Sequence, residues 1–273
     1  MMKCSVLMSV YKNDNPDFLK ISLESIYEAQ TRKPDEIVVI FDGPITEELL
    51  SVLNDFRKGK EDIVFYYPQE VNHGLGEALR IGSEKCTCEY IFRMDSDDIS
   101  APDRFEKQLQ YMNNHPEIDV LGTAIAEFNN SPEEDMRMRI CPEIHSDIVT
   151  MGKKRNPMNH VSVCMKKSAL EGCGGYEGLL LLEDYYLWLK MIAKGYKLAN
   201  LKDALTYVRV GNGFDSRRRS KDRIYGWKKL QKFMLENKMI NKPTAFMNMI
   251  YIYGFIYCPS FVRKIAYEKF LRK

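Results

Sequence analysis

Two aspartates one residue apart, Asp95 and Asp97, are candidates for metal chemistry. They follow the apolar run Tyr90–Met94, and alternation along a continuing strand would put both carboxylates on one face with Ser96 on the other. Carboxylate oxygens on one side suit Mg²⁺ or Mn²⁺, which usually take their remaining ligands from water and a substrate diphosphate. The alternative is that these aspartates only form a turn or cap a helix.

Two other polar segments could contact a nucleotide. Asp42 directly follows the apolar run Glu36–Phe41, so at a sheet edge its carboxylate could accept hydrogen bonds from nucleoside N–H groups or ribose hydroxyls. An aspartate that only forms a turn before Gly43 is the alternative. The run Asn72–Gly76 could open a helix and turn its backbone N–H groups towards a phosphate. It lacks the P-loop and dinucleotide-binding patterns, so simple helix capping is its alternative.

Glu183 and Asp184 begin a helical pattern and follow the apolar run Leu179–Leu182. Acidic residues in a first turn often only complement the helix dipole. A carboxylate held rigidly beside an apolar run, which can raise its pKa, is also suited to act as a general base. His160 follows the polar run Asn156–Asn159, and it is either a packed turn histidine or a polar wall of the same site.

Alternating strand and helix patterns separate these residues along the chain. The strand-like runs are Ser5–Val10, Glu36–Phe41, Ile63–Tyr67, Tyr90–Met94 and Ile118–Phe128. The intervals between the first four have helical spacing, which requires parallel strands and puts ligands at their carboxyl ends. We therefore predict an α/β fold with an open, mostly parallel sheet flanked by helices, whose strand ends bring the polar residues to one crevice.

The composition indicates a folded domain with reduced cysteines. A hydrophobic content of 45%, with 16 Gly and 11 Pro, excludes disordered, collagen-like and disulfide-stabilised miniprotein classes. Seven Cys without a framework spacing and four scattered His favour free thiols in the cytoplasm over a zinc site. The first apolar run is too short for a signal peptide and is predicted to be a strand.

The net charge of +2 conceals a strong asymmetry along the chain. Residues 1–150 carry 15 Lys and Arg against 29 Asp and Glu, whereas residues 151–273 carry 25 against 9. This distribution suggests an acidic half that bears the site and a basic half that faces phosphates, acidic lipid or the acidic half itself. We expect no nucleic-acid partner, because the acidic half would repel it.

Taken together, seven motifs in this order resemble the family 2 glycosyltransferases, which are inverting enzymes with one nucleotide-binding domain of the GT-A fold. The motifs are Ser9-Val10-Tyr11-Lys12, Phe41-Asp42-Gly43-Pro44, Asn72-His73-Gly74-Leu75-Gly76, Arg93-Met94-Asp95-Ser96-Asp97-Asp98, Pro102-Asp103-Arg104-Phe105, Gly174-Gly175-Tyr176 and Glu183-Asp184. The match is closest to the bacterial branch that builds O-antigen and exopolysaccharide. We expect a GT-A nucleotide-sugar-binding and catalytic domain at 1–212 and a basic, aromatic-rich helical appendage at 213–273.

The resemblance implies a role for each donor-side residue. Asp42 would contact uracil or ribose, and the loop at Asn72 and Arg93 would lie near the nucleotide. Asp95 and Asp97 would hold the ribose, the diphosphate and Mn²⁺ or Mg²⁺, with Asp97 as the direct metal ligand. The expected nucleotide-sugar site also includes Ser9, Tyr11, Ser96 and Arg80. Arg80 is assigned to the diphosphate although many family members have Arg-Asn where Leu79-Arg80 stands here.

On the acceptor side, the resemblance implies that Asp184 deprotonates the acceptor hydroxyl, with Glu183 beside it and His160 on the acceptor's side of the site. Metal and cationic groups would stabilise the departing nucleoside diphosphate while the base activates the acceptor on the opposite face of the sugar. The expected reaction transfers a hexose from a UDP-sugar to a lipid-diphosphate-linked sugar, with inversion, in surface polysaccharide synthesis.

Two other functions are considered. A sugar-1-phosphate nucleotidylyltransferase shares such a nucleotide site, but it normally has a Gly-rich basic loop directly after the first strand, where this chain has Val10–Asn13. A non-catalytic sugar-nucleotide-binding assembly protein would be expected to lack Asp95, Asp97 or Asp184, and all three are present.

The segment 245–262 is rich in Phe, Tyr, Ile and Met and is followed by basic residues. Three interpretations stay open: a helical hairpin packed on the rest of the chain, helices lying in a membrane interface, and a spanning helix of marginal length. Tyr251, Tyr253 and Tyr257 with the basic flank favour the interface. We expect a cytoplasmic protein associated peripherally with the inner face of the cell membrane.

Overall fold

The structure is a computed structural model, and it describes residues 2–129, 131–132, 136–179, 181–210 and 222–257. The strands are β1 Cys4–Val10, β2 Glu36–Phe41, β3 Val64–Pro68, β4 Tyr90–Met94, β5 Ile99–Ser100, β6 Val120–Phe128, β7 Arg137–Arg139, β8 Cys164–Lys166 and β9 Leu198–Arg209. The helices are α1 Pro16–Ile26, α2 Glu47–Arg57, α3 Leu75–Lys85, α4 Arg104–Asn114, α5 His145–Gly152, α6 Lys167–Gly172, α7 Glu183–Ala193, α8 Asp222–Glu236 and α9 Lys242–Tyr257. A short 3-10 helix, His160–Ser162, precedes β8.

The strands form one sheet in the order β3-β2-β1-β4-β8-β6-β9-β5, with β7 beside β6. β1 pairs in parallel with β2 and β4, and β2 pairs in parallel with β3. β8 is antiparallel to both β4 and β6, so β6 runs in the same direction as β4. The predicted open, mostly parallel sheet is confirmed, and β1, β2 and β4 end at the same edge.

Helices cover both faces of this sheet. β2 is buried along its whole length, as expected for a continuous apolar strand in a parallel sheet. Its residues Ile37, Val39 and Phe41 pack into a core with α1, α2 and α4, while Val38 and Ile40 pack on the other face with α3, α6 and α7. The parallel half of the sheet is therefore a rigid layer from which polar residues emerge only at its ends.

The strand β4 ends at Met94, so the expected alternation does not continue through Asp95 and Asp97. These residues lie in a turn after the strand. The prediction that strand alternation brings these carboxylates together is therefore wrong, because they lie in a turn and not in a strand. The bounds of β2 and β4 themselves coincide with the predicted runs.

The C-terminal helices share a core with α7. Trp227, Leu230 and Met234 of α8 pack among Tyr185 and Leu189 of α7. The side-chain amide of Asn248 in α9 donates to Gln231 Oε1 (3.0 Å) and to the carbonyl of Lys153 (2.8 Å). The predicted boundary at 212–213, the basic residues 217–221 and the basic flank after residue 257 lie outside the described residues, so the two-domain division stays a prediction.

Candidate active site

The centre of the site is the acidic turn, residues 95–98, which follows β4. Asp95, Asp97 and Asp98 each offer a carboxylate oxygen, and the three oxygens lie within 4.8 Å of one another. Burial raises the pKa of Asp98 well above its usual value, and the charges of Asp95 and Asp97 raise it further. Because hard oxygen donors crowded together repel each other, the turn fits a divalent cation such as Mg²⁺ or Mn²⁺.

Two hydrogen bonds from distant elements hold the acidic turn, one at a backbone carbonyl and one at a side-chain carboxylate. Ser22 Oγ in α1 donates to the carbonyl of Asp95 (2.8 Å), and the backbone N–H of Arg209 at the end of β9 donates to Asp98 Oδ1 (2.9 Å). Asp98 is only 2% exposed, whereas Asp97 is exposed and Asp95 is partly exposed. The turn is therefore held firmly at Asp95 and Asp98, while the carboxylate of Asp97 is accessible to solvent.

The loop after β1 is tied to the acidic turn through Asp14. Ser96 Oγ donates to Asp14 Oδ2 (2.7 Å), and the backbone N–H of Tyr11 donates to the same oxygen (3.1 Å). Burial raises the pKa of Asp14 to about 6 against the opposing effect of these bonds. Ser9 is half-buried near the end of β1, and Asp14 brings Tyr11 and Ser96 together, while the contacts of these residues with a donor stay a prediction.

Asp42 organises the loop that opens α3. Its Oδ1 accepts from the N–H of His73 (2.7 Å), its Oδ2 accepts from the N–H of Gly74 (3.0 Å), and its carbonyl accepts from Asn72 Nδ2 (3.0 Å). Gly43 has φ of +84°, and a Cβ there would lie 2.8 Å from the backbone nitrogen of Asn72, so only glycine fits. The contact of Asp42 with a nucleoside stays a prediction, since both carboxylate oxygens already accept loop N–H groups.

Arg93 connects the acidic turn with the start of α7. It is 3% exposed and forms an ion pair with Asp95. Its positive charge also lowers the pKa values of Glu183 and Asp184, in opposition to burial. Within the described part of the chain, the buried Nε of Arg93 has no hydrogen-bond partner. One guanidinium therefore serves both halves of the site.

Glu183 and Asp184 occupy the first turn of α7. Asp184 Oδ2 accepts from Asn156 Nδ2, and Oδ1 accepts from the backbone N–H of Tyr185 (2.7 Å). Burial raises the pKa of both carboxyl groups, and the charge of Asp184 raises that of Glu183 further. A Cβ on Gly76 would lie 3.1 Å from Glu183 Cβ, so α3 packs directly on this helix start. The two carboxylates are held on a rigid scaffold with raised basicity.

His160 is packed inward beside these carboxylates. Its Nε2 lies 2.9 Å from the hydroxyl oxygen of Tyr176, and its ring meets that of Trp188 edge to face at 5.9 Å. Burial lowers the pKa of His160 well below its usual value, and Arg93 lowers it further, so the imidazole is neutral. The packed-histidine interpretation fits these contacts, and a role towards the acceptor stays a prediction.

Arg80 differs from the other predicted site residues because its guanidinium is paired with carboxylates of its own helix. Its guanidinium donates to Glu77 at 2.7 and 2.9 Å and to Glu84 at 2.6 Å, both on its own helix α3. A contact with a diphosphate would require these ion pairs to open. Arg80 therefore stays a predicted ligand, while Arg93 is the arginine that the fold brings to the acidic turn.

Several supporting residues were missed in the sequence. Arg104 is fully buried and donates to the carbonyls of Arg93 (2.9 Å) and Val161 (3.1 Å), and burial lowers its pKa to about 9. Its motif, Pro102–Phe105, is part of the family resemblance, but the sequence alone indicated no role for Arg104. Asp14 and Asn156 carry no local signal, since their partners are far away along the chain.

The comparisons with known proteins agree on one family of enzymes. The profile described as Glycosyl transferase family 2 matches residues 5–171. The chain is 42% identical over 272 residues to an uncharacterized glycosyltransferase of Haemophilus influenzae, which covers 100% of both proteins. It is 38% identical over 245 residues to the amylovoran biosynthesis glycosyltransferase AmsE of Erwinia amylovora, covering 89% of this chain and 88% of AmsE.

The name of a third relative states its donor and its acceptor. The chain is 33% identical over 271 residues to the UDP-Gal:alpha-D-GlcNAc-diphosphoundecaprenol beta-1,3-galactosyltransferase of Escherichia coli, covering 99% of this chain and 97% of that enzyme. Among solved structures, S. aureus TarS 1-349 in complex with UDP-GlcNAc superposes with a TM-score of 0.70 at 16% identity, covering 97% of this chain and 75% of TarS. This likeness confirms the GT-A fold, and the chain belongs to glycosyltransferase family 2.

Proposed function

We propose that this protein transfers a hexose from a UDP-sugar to a hydroxyl of a lipid-diphosphate-linked sugar, with inversion, during synthesis of a surface polysaccharide. The observation that carries the proposal is the position of Arg93, which joins the acidic turn to the helix start bearing Asp184. A diphosphate and an acceptor hydroxyl could meet across this junction. The name of the Escherichia coli galactosyltransferase supports the acceptor class, and that of AmsE supports polysaccharide synthesis. The UDP-GlcNAc complex of TarS supports the donor class.

On the donor side, Asp97 and Asp95 would hold Mn²⁺ or Mg²⁺ with Asp98 behind them. When bound, the cation would neutralise charge on the departing UDP. Arg93 would add a fixed positive charge at the same place. The remaining donor contacts are assigned to Ser9, Tyr11, Asp42, Asn72, Arg80 and Ser96. The family membership sets aside the nucleotidylyltransferase, and the presence of Asp95, Asp97 and Asp184 argues against a non-catalytic assembly protein.

On the acceptor side, Asp184 would accept the proton of the attacking hydroxyl. The N–H of Tyr185 and the amide of Asn156 hold its two oxygens, so the carboxylate cannot rotate freely. Burial raises its pKa, which increases its basicity, and the charge of Arg93 opposes this rise. Glu183 lies beside it in the same helical turn, and its charge would add to the negative potential around the acceptor hydroxyl.

The proposed activity is tested with purified protein, a panel of UDP-sugars and a synthetic lipid-diphosphate monosaccharide, with UDP release as the readout. We expect release with one UDP-hexose only when the acceptor and Mn²⁺ or Mg²⁺ are both present. The product's anomeric configuration, measured by NMR, should be opposite to that of the donor. Release of pyrophosphate from a sugar 1-phosphate and UTP would instead favour the nucleotidylyltransferase.

The membrane would be contacted through α9. Among its described residues, Phe246, Met247, Ile250, Tyr251 and Tyr257 are exposed, whereas only Ala245 and Asn248 are buried. No helix in the described part of the chain is both long and apolar enough to cross a bilayer. An exposed apolar helix followed by basic residues in the sequence is typical of interfacial binding. We therefore propose that the protein associates peripherally with the inner face of the cell membrane through α9.

The intact protein should sediment with anionic liposomes, and the bound fraction should fall as salt is added. Each basic residue near an anionic surface contributes about 1 kcal/mol, and salt screens that attraction. Replacing Phe246 and Tyr251 by Gln should reduce the bound fraction, whereas Leu50→Gln on α2, also an exposed position, should leave it unchanged. Equal sedimentation of all three proteins, or none by the parent, would show that α9 only completes the packed hairpin.

A further inference from the structure

The helix α4 carries a buried arginine and a buried glutamine one turn apart, Arg104 and Gln108. Both side chains are 0% exposed. The Nε of Arg104 donates to Gln108 Oε1 (3.1 Å), so the two side chains form one unit, which we call the α4 pair. Buried polar groups are stable only when their hydrogen bonds are satisfied, so the partners of the α4 pair show what it holds in place.

The partners of Arg104 lie in two segments that bear site residues. Its Nη2 donates to the carbonyl of Arg93 in β4 (2.9 Å) and to the carbonyl of Val161 in the 3-10 helix (3.1 Å). Its Nη1 lies 3.3 Å from the sulfur of Met94, the last residue of β4 before the acidic turn. One planar guanidinium therefore ties the end of β4 to the 3-10 helix.

Gln108 extends the same attachment to β6. Its Nε2 donates to the carbonyl of Ser162 at the end of the 3-10 helix (3.0 Å) and to the carbonyl of Leu121 in β6 (2.8 Å). In return, the backbone N–H of Thr123 in β6 donates to Ser162 Oγ (2.9 Å). The α4 pair thus donates to main-chain carbonyls in β4, the 3-10 helix and β6.

The charge of Arg104 is costly for a residue that only fills the core. The hydrogen-bond partners described above are carbonyls, a sulfur and an amide, and none of them carries a charge. The rings of Phe92 and Phe105, with centroids 5.7 and 5.8 Å from its guanidinium carbon, offset part of the cost. An apolar side chain of similar size would fill this space without burying a charge. The position therefore favours a residue that can bridge two carbonyls.

The two segments that the α4 pair joins belong to opposite sides of the proposed site. Arg93 forms an ion pair with Asp95 of the acidic turn, on the donor side. The segment 156–162 ends in the 3-10 helix and begins with Asn156, whose side-chain amide donates to the carboxylate of Asp184. A shift of β4 relative to this segment would therefore change the position of the donor relative to the proposed base.

We propose that Arg104 is a positioning residue for glycosyl transfer, which fixes the donor side of the site relative to the base by bridging the carbonyls of Arg93 and Val161. This inference rests on the proposed function and adds a residue that, being fully buried, touches neither substrate. Misplacing reacting groups by about 1 Å can lower a rate about 10²-fold, so a bridge far from the chemistry can decide the rate.

The test replaces Arg104 by Met, which keeps a long side chain but removes the bridge and the charge. The affinity for UDP in the presence of Mn²⁺, measured by calorimetry, should fall about tenfold because Arg93 and the acidic turn lose their support. At saturating donor and acceptor, kcat should fall about 10²-fold. Leu109→Ala, in the same helix and core, is the matched control. It should lower the melting temperature but keep the UDP affinity and kcat of the parent.

Arg104→Lys covers the case in which the Met variant does not fold. Lysine keeps the charge and can donate to one carbonyl, but it lacks the planar fork that joins two. Its UDP affinity and kcat should therefore lie between those of the parent and of Arg104→Met. Parent values in a folded Arg104→Met, or in Arg104→Lys where only that variant folds, would overturn the proposal. Equal losses in Leu109→Ala would also overturn it, because destabilisation alone would then explain them.

The calorimetric measurement separates this inference from the proposed function, because it needs neither an acceptor nor turnover. If the parent glycosylates no lipid-linked acceptor, the proposed function fails. The positioning role still stands in that case if UDP affinity falls in the Arg104 variants and not in Leu109→Ala. A parent that binds no UDP in the presence of Mn²⁺ would overturn both.

Discussion

Replacing Asp184 by Asn is expected to lower kcat by about 10²–10⁴ while UDP binding stays close to that of the parent. Asn keeps the size of the side chain and one oxygen that accepts a hydrogen bond, but it cannot take the proton of the acceptor hydroxyl. UDP release at saturating donor and acceptor gives kcat, and calorimetry gives the affinity for UDP. Asp203→Asn, at an exposed carboxylate in β9, is the matched control and should behave as the parent.

The pH dependence gives the same prediction a second readout. Burial raises the pKa of Asp184, and the base must be deprotonated to act. In the parent, kcat/KM should therefore rise with pH through an acidic limb, and this limb should be absent from the Asp184→Asn variant. If kcat of the variant stays within a few-fold of the parent, Asp184 serves as a helix-terminal carboxylate and another group is the base.

Replacing Asp97 by Ala should abolish the dependence of UDP binding on Mn²⁺. Asp97 is the exposed member of the acidic turn, so its carboxylate is accessible to a cation shared with a diphosphate. Calorimetry with and without Mn²⁺ should show strong metal enhancement in the parent and none in the variant. Asp62→Ala, at an exposed carboxylate before β3, should keep the parent's enhancement.

The Asp97 variant also distinguishes two arrangements of the turn. Retained enhancement by Mn²⁺ would remove Asp97 from the ligand set and leave Asp95 and Asp98 as the metal-holding pair. Because Asp97 is exposed, its loss is expected to leave the fold intact, so a change in UDP binding reports on the site itself.

The parallel half of the fold was predictable because its strands are buried on both faces. Glu36–Phe41 and Tyr90–Met94 are mostly apolar runs in which every residue is buried, and further polar residues follow where each strand ends. The same argument led to Asp42 and the acidic turn. It could not give the antiparallel β8 or the three-residue β7, because strands this short carry too few residues to show a period.

The supporting residues of the site were harder to predict. Asn156 bonds to Asp184, 28 residues later, and only tertiary packing brings these segments together. The charge of Arg139 in β7 lowers the pKa of Asp184, but in the sequence this arginine indicates only an exposed charge. Asp42 also holds the loop before α3, a role that was not predicted because its partners lie 31 and 32 residues away.

The C-terminal helices show how far composition can lead. Trp227, Leu230 and Met234 form an apolar face of α8 that packs on α7. The aromatic content of α9 indicated an interface, yet it could not tell packed residues from exposed ones. The structure buries Asn248 and exposes Phe246 and Tyr251, the reverse of what polarity alone predicts.

The hydrogen bond between Asp98 and the backbone of Arg209 has a consequence for biosynthesis. Its partners are 111 residues apart, and the bonds from Ser22 and to Asp14 span 73 and 82 residues. Closing such long loops costs entropy that only the assembled sheet can offset. On the ribosome the acidic turn emerges long before β9 is made, so a nascent chain carries these aspartates without their final constraint. The proposed cation site is thus completed late, only when the whole sheet has formed.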